Sequence, residues 1–90
     1  MQRQLKALFS GTVQGVGFRF TAEWLARHFA VTGYVRNLSN GKVELVAEGE
    51  ETTVKDFLKA VEDAMKNYIR NKKIFWSEPE GQYSDFGIGY

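Results

Sequence analysis

Gly11-Thr12-Val13-Gln14-Gly15-Val16-Gly17-Phe18-Arg19 joins a strand-like run, Leu5 to Ser10, to a helix-like run, Thr21 to Ala30. The joint is a short glycine-spaced loop, closed by one arginine. A loop at a helix N-terminus presents backbone N–H groups that lack intrahelical partners, together with the positive end of the helix dipole. Such a site suits phosphate or another small oxyanion. Glycines let the backbone approach an anion without Cβ clashes. Arg19 adds a permanent charge and a planar fork of donors that matches phosphate oxygens. The loop is not a nucleotide P-loop, because no Gly-Lys-Ser/Thr follows at the required spacing. It is not a dinucleotide fingerprint either, since Phe20 stands where the third glycine would fall. A plain strand-to-helix turn with a surface arginine remains the alternative at this point.

Working outward, strand 1 is read over Gln4 to Val13, with Leu5, Ala7, Phe9 and Val13 on one face and Gln4, Lys6, Ser10 and Thr12 on the other. Helix 1 is read from Arg19 to Phe29, its buried face built from Phe18, Ala22, Leu25 and Phe29. Phe20 and Trp24 form a second apolar pair, read as the edge of the core. Strand 2 is read over Gly33 to Leu38 and strand 3 over Lys42 to Glu48. Between them Ser39-Asn40-Gly41 is a strong hairpin signal. Helix 2 is read over Thr53 to Arg70, with a stripe of Val54, Phe57, Leu58, Val61, Met65 and Ile69. Strand 4 is read over Lys73 to Ser77, and a last short strand holds Phe86, Ile88 and Tyr90. The order βαββαβ predicts one domain over residues 1–90. Its class is α+β, a ferredoxin-like split βαβ sandwich with a mostly antiparallel sheet and two helices on one face.

In that fold strands 1 and 2 are parallel and end at the same edge of the sheet, where crossover folds tend to bind ligands. Asn37, late in strand 2, falls there beside the glycine loop. An amide at that place can hold a water by donating and accepting hydrogen bonds. The alternative is a residue that merely precedes the turn.

Composition narrows the function. The chain of 90 residues is 43% apolar and 14% aromatic, as expected of a folded globule. It has no cysteine, hence no disulfide framework, thiol nucleophile or thiolate metal site. That composition is compatible with a reducing cytoplasm. A single histidine, His28, cannot build a histidine-rich metal site and is read as a solvated or half-buried helix residue. The net charge of +1 opposes a nucleic-acid binder that relies on a basic field. An RNA-recognition sheet needs exposed aromatics on its middle strands, whereas strand 3 turns Glu44, Val46 and Glu48 to that face. Lys66, Arg70, Lys72 and Lys73 are read as cations complementing the C-terminal end of helix 2. No signal peptide and no membrane span are evident.

The glycine loop resembles the signature of the acylphosphatase family. Gly33-Tyr34-Val35-Arg36-Asn37-Leu38-Ser39-Asn40-Gly41-Lys42-Val43-Glu44 resembles that family's second signature, Gly-aromatic-Val-x-Asn followed by a Gly-x-Val-Glu hairpin. The likeness extends to the closing Phe86-Gly87-Ile88. It implies a ferredoxin-like enzyme that hydrolyses a small-molecule acyl phosphate to a carboxylate and inorganic phosphate, without metal, cofactor or phosphoenzyme. It implies that Arg19 binds phosphate and that Asn37 positions the attacking water. It also implies that the backbone N–H groups of Gly15, Val16, Gly17, Phe18 and Arg19 form the phosphate cradle. A cytoplasmic monomer that binds neither nucleic acid nor membrane is expected. Two other readings stand beside it: a non-catalytic module on the same fold, and an acylphosphatase-like unit detached from a larger maturation enzyme. The chain departs from the family in one place. The Gly-Pro-containing loop usual between helix 2 and strand 4 is replaced by Lys66-Asn67-Tyr68-Ile69-Arg70-Asn71-Lys72-Lys73, which implies either a longer helix or a different turn.

Overall fold

The computed structural model describes residues 1–89. β1 (Gln2–Gly11) passes through the glycine loop into α1 (Phe18–Ala26). β2 (Thr32–Asn37) and β3 (Val43–Glu50) form the hairpin, α2 (Glu51–Ala64) follows, and β4 (Ile69–Ser77) and β5 (Phe86–Ile88) complete the order. The sheet runs β4-β1-β3-β2-β5. All neighbours are antiparallel except β2 and β5, which are parallel. This is the expected ferredoxin-like α+β sandwich, extended by β5 beyond β2. Tyr90, assigned to the last strand by its alternation, lies outside the described residues. Among the described residues no helix is long and apolar enough to cross a membrane.

The strand periodicity decides which face the helices cover. Leu5, Ala7 and Phe9 of β1, Val35 of β2, and Val43, Leu45 and Ala47 of β3 are buried in one cluster with Phe18, Ala22, Val54, Phe57 and Val61 of the helices. Phe18 and Phe9 meet at 5.2 Å between ring centroids, which fastens the first residue of α1 to the end of β1. A fully buried phenylalanine contributes roughly 1.5–3 kcal/mol, so both ends of the glycine loop are tied to the core.

Register then positions the site. Val43 pairs with Phe9 on one side and with Asn37 on the other. Since β1 and β2 both run antiparallel to β3, they run alike and finish at one edge, as the split βαβ reading requires.

Three element boundaries differ from the sequence expectation by three residues or more. α1 ends at Ala26 rather than Phe29. The N–H groups of Arg27, His28 and Phe29 donate three residues back, to Trp24, Leu25 and Ala26, which tightens the chain into turns. His28 lies exposed in these turns, edge-on to Trp24. α2 ends at Ala64, not Arg70. Of the two alternatives for the family's missing Gly-Pro loop, the chain takes the different turn. The N–H groups of Tyr68 and Ile69 both donate to the Met65 carbonyl, at 2.9 and 3.2 Å, and β4 starts at Ile69 rather than Lys73. Pairing with β1 is the cause: Gly11 pairs with Ile69 and Ser10 with Asn71, with an irregularity between them. The strands approach so closely that a Cβ on Gly11 would lie 2.4 Å from the Tyr68 carbonyl oxygen. Arg70, Lys72 and Lys73 therefore sit on an edge strand rather than at a helix end. Charge on an exposed edge opposes pairing with another chain.

The apolar pair Phe20 and Trp24 also differs from expectation. Neither is core edge: Phe20 is 67% and Trp24 49% exposed. The buried stripe of α1 runs through Phe18, Ala22 and Ala26. Residues two positions out of step with it face away from the sheet.

On the sheet face opposite the helices, residues 78–85 cross from the β4 edge to the β5 edge. Glu48, 5% exposed, anchors this crossing. Its carboxylate accepts from the N–H groups of Glu80 and Gly81, at 2.7 and 3.1 Å, and from the Gln4 amide at 2.7 Å. Tyr83 packs against Tyr34 nearby. The Tyr34 hydroxyl donates to Glu44, and burial together with that bond pushes its pKa up to about 12. Burial alone would raise the Glu48 carboxyl. The donations from the Glu80 N–H, the Gln4 amide and the Gly81 N–H outweigh it and hold the group below the usual carboxylate range.

A carboxyl whose folded pKa lies below its unfolded value stabilises the fold above the unfolded value. That contribution fades as pH falls through the folded one. Glu48→Gln is expected to cost about 1–3 kcal/mol near neutral pH. The gap in thermal midpoint between the two proteins should close as pH drops below ~4. Thermal unfolding followed across pH checks this, and a gap that ignores pH removes the ionised carboxylate from the account.

Candidate active site

The glycine loop takes its shape from two residues in the left-handed region, Gly15 at φ +78° and Gly17 at φ +79°. A side chain at either would strain the backbone although nothing crowds the space it would fill. Gly17 is also the N-cap of α1, and no side chain caps that end of the helix. The first intrahelical bond runs from the Thr21 N–H to the Gly17 carbonyl. The N–H groups of the first turn therefore point out of the helix toward the loop.

Gly15, Gly17, Phe18, Arg19 and Asn37, all expected at the site, line one pocket of about 190 Å³. The Val16 side chain packs against the core instead, so this residue offers the site its backbone only. Arg19, in the first turn of α1 just past the end of β1, and Asn37, at the end of β2, are brought to one edge by the shared register at Val43. Among the described residues no three His, Cys, Asp or Glu side chains converge as metal ligands.

Besides the buried Val13, which also lines the pocket, three further residues belong to this neighbourhood and were not assigned to it from sequence. Ile88 lines the pocket from β5, and Phe20 lines it from the first turn of α1. Gln14 reaches out of the loop to the base of the hairpin. Its side-chain amide donates to the Leu38 carbonyl at 2.7 Å and to the Lys42 carbonyl at 2.9 Å. Those carbonyls flank the hairpin next to Asn37, so one amide ties the loop to the strand end that carries it. The only sequence signal for this bond was a polar residue held between glycines.

An uncapped helix end, a guanidinium and an amide around one small pocket can hold a tetrahedral oxyanion and a water beside it. Comparison with known proteins points the same way. The family model "Acylphosphatase" matches residues 5–88. An acylphosphatase of Caldanaerobacter subterraneus subsp. tengcongensis is 36% identical over 98% of this chain and 99% of its own length. The crystal structure of acylphosphatase from Bacillus subtilis superposes with a TM-score of 0.87 at 30% identity, covering 98% of this chain and 99% of that one. Full-length HypF, in its phosphate- and nucleotide-bound form, contains a similar unit: TM-score 0.85 and 27% identity over all of this chain but 12% of that one. A match that runs from β1 to β5, at this level of identity and with this agreement of fold, shows that the chain belongs to the acylphosphatase family.

Proposed function

We propose that this protein hydrolyses acyl phosphates to a carboxylate and inorganic phosphate by direct attack of a positioned water. One observation carries the reading: Arg19 and Asn37, from two separated sequence signatures, line a single pocket at the N-terminus of α1. The phosphoryl group sits against the backbone N–H groups of Gly15 to Arg19, with the Arg19 guanidinium on its oxygens. Asn37 holds the water. The water oxygen bonds to phosphorus as the bond from phosphorus to the bridging oxygen breaks, and that electron pair leaves with the carboxylate. The proton of the water passes to a phosphate oxygen. A carboxylate is a good leaving group, so neither a histidine nor a strong general acid is required, and rate comes from positioning and charge stabilisation. Gln14 keeps the loop and the Asn37 strand end in fixed relation. The cysteine-free composition suits a reducing compartment, and we place the enzyme in the cytoplasm on that ground.

The chain has one histidine and no cysteine, which leaves few good ligands for a transition metal. Hydrolysis of benzoyl phosphate is therefore expected to continue undiminished after exhaustive chelation. Turnover that disappears in chelator and returns with Mg²⁺ or Zn²⁺ overturns the metal-free mechanism. Failure to hydrolyse any acyl phosphate, with or without metal, overturns the activity itself.

A further inference from the structure

We infer that Phe20 is a specificity residue that contacts the acyl group, and that it biases the enzyme toward acyl phosphates with aromatic or extended apolar acyl groups. The inference rests on the activity proposed above. Phe20 lies next to Arg19 and lines the same pocket, yet it is 67% exposed. It is thus placed at the rim rather than in the core. The pocket, about 190 Å³, is smaller than the ~300–1,000 Å³ sites that enclose drug-sized ligands. A phosphoryl group occupying the loop leaves little room, so any but the smallest acyl group extends out past the rim. There it meets an aromatic face, with Ile88 as a second apolar wall of the pocket. Acetyl phosphate is too short to cover that face, whereas the ring of benzoyl phosphate can pack on it. Covering an exposed ring removes apolar surface from water, and ring-on-ring packing adds to this.

Trp24 provides an internal comparison. It lies one turn along the exposed face of α1, is 49% exposed, and packs edge-on against His28 at 4.8 Å rather than lining the pocket. It is a surface aromatic on the same helix without access to the phosphoryl site.

The test measures kcat/KM for benzoyl and acetyl phosphate on the parent protein, Phe20→Ala, Phe20→Trp and Trp24→Ala. Taking the ratio of the two substrates within each protein, and comparing proteins, cancels their different intrinsic reactivities. Phe20→Ala is expected to lower the benzoyl-over-acetyl ratio roughly threefold to tenfold. Phe20→Trp should keep the ratio, and Trp24→Ala should leave it unchanged. A ratio unaffected by Phe20→Ala, an equal loss on both substrates, or an equal shift in Trp24→Ala overturns the inference. A parent protein inactive on both substrates instead overturns the activity on which it rests, so the two failures are distinct.

Discussion

Arg19→Ala is expected to abolish measurable acyl phosphate hydrolysis while leaving the protein folded. Arg19 lies in the first turn of α1 and lines the pocket with Gly15, Gly17 and Asn37. It is absent from the buried cluster that holds α1 to the sheet, a task carried by Phe18, Ala22 and Ala26. Its loss therefore leaves the core contacts of α1 in place. Removal of a single preorganised donor to a developing oxyanion costs roughly 10²–10³ in rate. A charged, two-pronged contact exceeds a neutral donor, so the loss should lie at or above the top of that range. In the proposed site the guanidinium meets phosphate in the ground state as well, so inhibition by inorganic phosphate should weaken in parallel. Arg19→Lys should recover little, because an ammonium offers a point charge in place of a planar fork. Turnover, the inhibition constant for phosphate and the thermal midpoint, measured on each variant, check all three expectations. Near-normal turnover in Arg19→Ala would show that the loop is not the site.

Arg19 was legible from sequence because its setting is local: a strand, a glycine-spaced loop and a helix within a few residues. Asn37 was legible only through the fold, which brings the ends of β1 and β2 to either side of Val43. The hairpin at Asn40-Gly41 and the alternation of β1 were likewise local signals. What sequence reading missed depends on partners far along the chain. Ile69 falls four residues after Met65, which suits a helix stripe as well as a strand start; pairing with Gly11 decides between them. Helix 1 carries two apolar stripes. Periodicity picked out the Phe18 stripe that meets the sheet, but not how far the second stripe turns away from it; with Phe18 seated on Phe9, Phe20 and Trp24 are left outside. Gln14 finds its carbonyl partners 24 and 28 residues away. Glu48, read only as an acidic residue of the outer face, is buried because backbone donors from 32 and 33 residues away come to meet it. No pattern within a short window encodes contacts of that separation.

Asn37→Ala separates binding from chemistry. A residue that holds the attacking water acts on the reaction rather than on the bound phosphate. The catalytic rate should fall roughly 10²-fold or more, as when a preorganised polar group is removed from a reacting centre, while inorganic phosphate binds with nearly unchanged affinity. The competing role is that of a residue that only shapes the turn, and the structure gives it little to do. The hairpin closes through the Leu38 N–H to the Lys42 carbonyl at 2.8 Å and the Gly41 N–H to the Leu38 carbonyl at 3.2 Å. The Lys42 N–H also donates to Asn40 Oδ1 at 3.0 Å. Gln14 then braces the same carbonyls from the loop side. None of these bonds uses the Asn37 side chain, so its removal should shift the thermal midpoint little. Three measurements on one variant therefore give three distinguishable patterns. Lost turnover with intact phosphate binding and stability marks the water-positioning role. Lost stability with normal turnover marks a turn residue. Turnover and phosphate affinity that fall together make Asn37 a phosphate ligand, and the attacking water must then be held by another group in the pocket.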